Sequence, residues 1–454
     1  MSASDLPRGG AAKGIGKRWS ALVAGVRARI TWNRIYRATS YLRSALWVVP
    51  LFAIVAVVVL APLLRVLDQK LRWDLTGLTV SGAQALCSTV ITLNLSFLVF
   101  TFGSLLVAIQ VAGGQLTPRI IATTLLRNNV VRYSVGLFTF TLIFAVTSLN
   151  RLERSVPGIV VLVVDLMGLA SMVTFLFLID YAARLLRPVS IVSRVGEEGL
   201  RVIETMYPDP VSGPDEPPPR EDLGKPARIM THEAFSGILL AVDLVSLARK
   251  ARRHGGTIEV LPQVGDFVAN GEPLLRLYGG SAAICDQELA AVAAFGPERT
   301  LEQDPIFAFR ILVDIALKAL SPAINDPTTA VLAIDQVHRL LRVVGRRQLR
   351  GDAIRDSGGT VRVIFRTPNW EDFVHVACRE IRACGASSMQ VARRMRAMLD
   401  DVLELLPPER HAALQEELRL LDVALESRYP LAEDLALART ADVQGLGGSA
   451  RRTP

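Results

Sequence analysis

Three groups of residues have types and spacing that chemistry could use. The first is Arg310, Asp314 and Lys318, which follow one another at i, i+4 and i+8 along a stretch that is otherwise apolar, with Asn325 and Asp326 shortly after. On a helix they form one charged stripe, and Glu302, Asp304 and Thr328 stand close enough in sequence to complete it. Such a ladder in a buried helix is ordinarily a satisfied salt-bridge network. The sharper alternative is a polar ligand pocket built from Arg310, Asp314, Lys318, Asn325 and Asp326. The second is Asp165, a lone acid inside an apolar run, where a carboxylate costs about 2.5 to 3.5 kcal/mol in hydrocarbon and needs a partner or water. Protonation coupling is one consequence such a group allows. The third lies in another apolar run, where at about 100° per residue Ser81, Gln84, Ala85, Ser88, Thr92, Ser96, Gly103 and Gln110 share one stripe. Its centre is Ser88, Thr92 and Ser96. A wet pathway in an oligomer is the functional reading; a packing face of small and hydroxylated residues is the ordinary one. Asn94 and Thr101 point elsewhere, which weakens the pathway reading.

Other chemistries find no support. There is no nucleophile with its base, no glycine-rich phosphate cradle and no pair of carboxylates at a defined separation. The five histidines include no H-x-x-x-H pair, and the four cysteines, Cys87, Cys285, Cys378 and Cys384, show no C-x-x-C spacing. We therefore expect no catalytic residue, no structural metal and no cofactor, and an enzyme is not supported. Cys87 lies in an apolar segment where disulfide pairing is disfavoured, which fits a reducing cytosol.

These residues must be held by elements of two kinds. Half of the 454 residues are hydrophobic and only 21% are charged, so some segment must be more apolar than a soluble core. Four runs stand out as membrane spans, at about 44–64, 80–109, 133–149 and 156–179, the first of which just crosses about 30 Å of hydrocarbon at about 1.5 Å per residue. The net charge of +8 comes from residues 1–43, which hold nine basic residues against Asp5. An excess confined to an arm beside the first apolar run speaks for a membrane surface and not for nucleic acid binding by the folded body. Within the arm, Trp19, Leu22, Val23, Val26 and Ile30 alternate with Lys17, Arg18, Arg27, Arg29, Arg34 and Arg37, as in an amphipathic interfacial helix or a basic arm that only sets topology. Basic residues then number three, three and two in the successive loops. Cationic segments resist translocation, so the arm, the second loop and everything after Asp180 are expected in the cytoplasm.

Residues 208–226 hold seven prolines and read as a structureless linker. Strand-like runs follow at 235–242, 257–261 and 273–277, with a helix at 244–254. The Gly265-Asp266-Phe267-Val268 and Asn270-Gly271 segments supply turns, giving a small β-rich module over 227–281. It is expected to be a barrel or sandwich. A helical domain is expected over 282–440, in which Asp304-Pro305 and Asp326-Pro327 each place an N-cap acceptor before a proline at the first helical position. Long helices are expected at 371–406 and 409–427. Leu414, Leu418, Leu421 and Leu425 form a seam two heptads long, suited to packing within one chain. The tail, 441–454, is expected to be disordered.

Two stretches carry a resemblance: Gln110-Val111-Ala112-Gly113-Gly114-Gln115-Leu116-Thr117-Pro118-Arg119, and the run EQDPIFAFRILVDIALKALSPAINDPTTA from Glu302 to Ala330. With the number of spans and the Phe235-Ser236-Gly237 segment, they resemble a bacterial family of predicted membrane proteins known as domain-of-unknown-function family 2254. Ala308 stands where a glycine is expected in relatives. The resemblance implies a bacterial inner-membrane location and this architecture, and it implies no activity.

The expected fold is thus an α-helical membrane protein of four transmembrane helices with a C-terminal α+β soluble domain, a small β barrel or sandwich plus a helical bundle. Its partners would be the lipid bilayer and, where the serine stripe is buried between copies, a homo-oligomer. Two functions compete: a channel-like or transport-associated protein with a cytosolic gating or sensing domain, and a membrane-anchored sensor or scaffold that conducts nothing.

Overall fold

Apolar runs rich in Leu, Val, Ile and Phe form four long helices in a computed structural model that describes residues 42, 45, 47–71, 78–115, 129–150, 152, 158–185, 187–211, 223–349 and 353–448. The helices are α1 (Val48–Leu71), α2 (Val80–Gln115), α3 (Asn129–Leu149) and α4 (Gly158–Leu185). All four are long and apolar enough to cross a membrane. The basic arm expected over 1–43 lies outside the described residues, apart from Leu42.

Helix α3 is the innermost, with 44% of its apolar stretch buried against 12 to 22% for the other three. Small residues set how closely the helices approach. A Cβ on Gly136 would meet Val49 at 2.5 Å, and one on Gly168 would meet Val90 at 2.8 Å, so both positions require glycine. Phe97, Phe138 and Phe175 fill the space between α2, α3 and α4, with ring centroids 4.2 to 6.5 Å apart. The Asp68 carboxylate, at the end of α1, accepts a hydrogen bond of 2.9 Å from the Ile159 N–H in the first turn of α4. It thereby satisfies one of the donors a helix start leaves open.

The chain divides into two units, and the membrane helices belong with a helical bundle in the unit formed by 42–211, 304–349 and 368–448. The bundle holds α5 (Pro188–Met206), α8 (Pro305–Ala319), α9 (Pro327–Val344), α10 (Trp370–Gly385), α11 (Met389–Leu405), α12 (His411–Arg428) and α13 (Ala432–Ala438). Helix α8 is buried on most of its faces, which is why its sequence is apolar nearly all round. Asp304 and Asp326 cap α8 and α9 through the Phe307 and Thr329 N–H groups, each with proline in the first turn. Leu414, Leu421 and Leu425 of α12 are fully buried within the unit.

The other unit takes in 223–303 and 353–367. It comprises β1 (Arg228–Thr231), β2 (Gly237–Val242), α6 (Leu244–Arg253), β3 (Gly256–Val260), β4 (Phe267–Val268), β5 (Pro273–Gly279), α7 (Asp286–Ala290), β6 (Ala293–Gly296), β7 (Ala353–Arg355) and β8 (Val361–Ile364). They make a five-stranded sheet in the order β1-β5-β3-β8-β7 and a three-stranded sheet in the order β4-β2-β6. Among the described strands, only β3 and β8 pair in parallel. Leu239 of the smaller sheet shares a core with Ile258, Leu277 and Val363 of the larger. Gly265 and Gly271 take φ of +98° and +86° beside β4, where a side chain would strain the turn.

The structure corrects four expectations. The β-rich module does not stop at 281, and 282–440 is not wholly helical, because β6 pairs with β2 from 51 to 58 residues away and β8 pairs with β3 from 105 residues away. Pairing at that distance leaves no trace in local periodicity. Residues 208–211 are not structureless: Pro210 bridges Arg347, and the Val211 N–H donates to the Arg346 carbonyl at 2.8 Å. The helix expected over 371–406 is broken between Gly385 and Met389, where Gly385 lies against Val391 and Leu320. Finally, 441–448 is docked. Asp442, 1% exposed, accepts from the N–H groups of Gln444, Gly445 and Gly447, while buried Arg393 donates to the carbonyls of Thr440, Gly447 and Gly448.

Candidate functional site

The residues singled out in the second membrane run divide by face. Ser88, Thr92 and Ser96 are exposed on the outside of the four-helix assembly, as are Ser81, Ala85 and Gln110. Two hydroxyls on this face close on their own helix: Thr92 donates to the Ser88 carbonyl and Ser96 to that of Thr92, both at 2.9 Å. Gln84 reaches across to the Leu152 carbonyl at 3.1 Å. Asp165 is also exposed, on the outer side of α4, and so does not sit among the other three helices. The stripe and the acid therefore both face whatever surrounds the four helices.

The inward face carries a polar level that the sequence reading passed over. Asn94 is fully buried, and Thr141 and Ser171 are 1% and 0% exposed. Asn94 lies one turn before Phe97, Thr141 one turn after Phe138 and Ser171 one turn before Phe175. Because those three rings meet, and α3 runs opposite to α2 and α4, the three polar residues lie at one depth. Ser171 donates to the Thr141 hydroxyl at 3.2 Å. Asn94 donates to the Val90 carbonyl, leaving its Oδ1 without a partner. The signal in the sequence was a polar residue in the interior of three successive apolar runs.

In the bundle, Arg310 donates to Asp314 through Nε at 2.7 Å and to Glu380 of α10 through both terminal nitrogens, one at 3.1 Å. Burial disfavours its charge, yet the bonds to Glu380 and Asp314 hold its pKa above the ordinary guanidinium value. The bond from Arg310 in turn holds Glu380 below the usual carboxylate range. Glu380 was missed because it lies seventy residues away on another helix. Lys318 stays on the same helix face. Asn325 takes φ of +49° in the turn before α9, a conformation Asn tolerates better than most residues. Asp326 is spent on the α9 cap, accepting from the Thr329 N–H and hydroxyl. Arg310 and Asp314 thus join Glu380 in a cross-helix ion network, and Asn325 and Asp326 form a capped turn.

A second titratable group lies on α9 and α11. His338 Nδ1 bonds Arg394 Nη2 at 3.0 Å and His338 Nε2 bonds Asp401 at 2.8 Å. An arginine can only donate, so Nδ1 is the acceptor and Nε2 carries the proton. Arg394 also donates to Asp335 at 2.7 Å. Burial, with the Arg394 and Arg342 charges, lowers the His338 pKa against the opposing pull of Asp401. Among the described residues, no group of three or more His, Cys, Asp or Glu side chains is gathered as a metal site.

The family described as predicted membrane protein (DUF2254) matches residues 43–401. The chain belongs to it. The match takes in all four membrane helices, the β-rich unit and the bundle as far as α11, so Asp165, the serine stripe and the Arg310 network all lie inside the DUF2254 region. Asp442 and the docked segment around it lie beyond. The chain is also similar to uncharacterized proteins of Mycobacterium bovis and Mycobacterium tuberculosis, at 25% identity over 449 residues, covering 94% of this chain and 84% of each relative. No solved structure matches. The chain is therefore a DUF2254 membrane protein of uncharacterised function.

Proposed function

We propose that this protein acts as an oligomeric, channel-like or transport-associated membrane protein of the bacterial inner membrane, with both termini and its soluble part in the cytoplasm. The observation that carries this reading is the outward placement of Ser88, Thr92, Ser96 and Asp165. A carboxylate facing acyl chains is costly, whereas one facing a second copy or a water-filled seam is not. The interior of the four-helix assembly favours a path between copies, because Phe97, Phe138, Phe144 and Phe175 crowd it. The soluble part would gate or sense, with the β-rich unit as a small sandwich and the Arg310–Asp314–Glu380 network as a clamp between α8 and α10.

The test is ion flux through liposomes holding the purified full-length protein, compared for wild type, Asp165→Asn and Ser96→Leu. The expected result is flux in wild type that both substitutions largely abolish. The back-bonded hydroxyls of α2 suit a dry helix interface as well as a wet one, so the competing reading is a membrane-anchored sensor or scaffold. Flux absent from all three proteins would establish that reading instead.

A further inference from the structure

The β-rich unit encloses a cavity of about 460 Å³, within the size range of small-molecule sites, lined by Arg228, His232, Glu233, Leu274, Asp286 and Phe295 among others. It runs along β1, which is an edge strand of the larger sheet, and is closed on the far side by α7 and by β6, an edge strand of the smaller sheet. Both sheets end here, and the space between their edges is the opening. We propose that this cavity is a binding site for a small organic ammonium ion with an apolar body. The proposal concerns the β-rich unit alone and stands apart from the transport reading.

The floor and the mouth differ in chemistry. Leu274 is 2% exposed and Phe295 packs against the core, so the floor is apolar. His232, 4% exposed, stacks its ring on Phe295 with centroids 4.1 Å apart. Its Nε2 bonds the Phe235 carbonyl at 3.0 Å. A carbonyl only accepts, so Nε2 carries the proton and Nδ1 offers a lone pair. That nitrogen makes no hydrogen bond among the described residues. At the mouth, Glu233 and Asp286 are both exposed carboxylates. The single guanidinium of the lining, that of Arg228, donates through one terminal nitrogen to the Ile284 carbonyl and lies 3.3 Å from Asp286, which balances its charge, while its buried Nε has no partner among the described residues. The lining therefore carries one uncompensated negative charge, on Glu233, together with an imidazole acceptor and an aromatic ring.

A ligand that suits it brings N–H donors and positive charge at one end and apolar surface at the other. An ammonium group can bond Glu233 and Nδ1 of His232 while its apolar body lies on the Leu274 and Phe295 floor. A carboxylate of the same shape would meet Glu233 and Asp286 with like charge and would give His232 no donor. Apolar area entering the Leu274 and Phe295 floor would add to binding for either ligand, so charge decides between them.

The experiment titrates benzylamine, and separately benzoate, into the purified full-length protein in detergent at neutral pH, by calorimetry and by ligand-observed NMR. Benzylamine should bind saturably and benzoate should not. Glu233→Gln should weaken benzylamine by about tenfold, the loss of one partly exposed charge-assisted bond, while Glu233→Asp should retain part of it. Ala290→Trp, which fills the mouth from an exposed position of α7, should abolish binding. Circular dichroism and thermal unfolding of each variant separate a lost site from a lost fold. Benzoate binding as well as benzylamine, or benzylamine binding unchanged in both Glu233→Gln and Ala290→Trp, would overturn the proposal, as would the absence of any benzylamine binding to wild type.

Discussion

The membrane helices and the helical bundle belong to one unit, yet most of their polar side chains are satisfied differently. In α2 and α3, Thr89, Thr92, Ser96, Thr101, Thr139, Thr147 and Ser148 all donate to the carbonyl four residues earlier in their own helix. In the bundle the polar contacts cross between helices: Arg310 to Glu380 joins α8 to α10, Arg382 to Glu417 joins α10 to α12, and Arg394 to Asp335 joins α11 to α9. The difference follows from the surrounding solvent. Hydrocarbon supplies no partner to an open hydroxyl, so a bond within the helix is the safe arrangement before the helices meet. Water supplies partners freely, so charged groups in the bundle are kept where burial and a cross-helix mate make their position specific. Shape therefore locates the membrane helices, through Gly136, Gly168 and the phenylalanines, whereas charge pins the bundle.

The sharpest way to break this contrast is to remove a buried pin. Arg393 is fully buried and holds three carbonyls of the segment 440–448, while Asp442 organises the same segment from within. Arg393→Met keeps much of the volume and removes every donor, leaving carbonyls of Thr440, Gly447 and Gly448 without that partner. The expected cost is about 3 kcal/mol or more, given hydrogen bonds to a charged group of about 1.5 to 3 kcal/mol each. Thermal unfolding should register it, and limited proteolysis should cut after Thr440 in the variant well before it cuts wild type. Equal protection of the two proteins would show that the segment is held by something other than Arg393.

What the sequence made legible follows the same division. Membrane helices could be read from runs without charge, because each helix's requirement is local: length, apolarity and closed hydrogen bonds. The caps at Asp304 and Asp326 were legible for the same reason, since an acid before a proline acts on the next turn. The bundle's pins were not. Glu380 and Glu417 have no periodicity that names their partners, which lie 70 and 35 residues away in Arg310 and Arg382, and Arg393 bonds a carbonyl, that of Thr440, 47 residues away. The β-rich unit shows the same limit, as nothing local to β8 names its place beside β3. For the membrane candidates, periodicity correctly grouped Ser88, Thr92 and Ser96 on one face, but which face looks outward depends on neighbours. The inward set of Asn94, Thr141 and Ser171 needed three helices to be aligned in depth.

A second, smaller effect concerns pH and one of the bundle's pins. His338 is held neutral by accepting from Arg394, whose side chain lies against Gly445 of the docked segment. Its pKa in the folded protein is lowered, so the folded state binds this proton less readily than the unfolded chain does. The associated stability is complete above the ordinary imidazole value of about 6.5 and is lost as pH falls through the depressed folded value. Unfolding midpoints of wild type should therefore decline between neutral pH and about pH 5, and His338→Gln, which cannot titrate, should flatten that decline. Asp401 and Asp335, which face the same cluster, remain in both proteins and serve as the common background. An identical pH slope in the two would remove His338 as the source.

The smallest effect belongs to the membrane side. Thr92→Val replaces a hydroxyl that bonds only the Ser88 carbonyl of its own helix, at an exposed position, with a methyl group of similar shape. The carbonyl keeps its place in the backbone ladder, and no other helix loses a partner. Stability in detergent should change by less than about 0.5 kcal/mol, as for substitutions that touch no buried network. In liposomes the same substitution separates two roles for the face. A path lined by water loses one polar group and conducts less, whereas a dry interface between copies gains apolar contact and holds together at least as well. Measuring flux and oligomeric state on this one variant therefore tests whether the outward hydroxyls serve an ion or a second copy of the chain. A loss of flux with assembly intact supports the path, and tighter assembly with no flux in either protein assigns the stripe to packing.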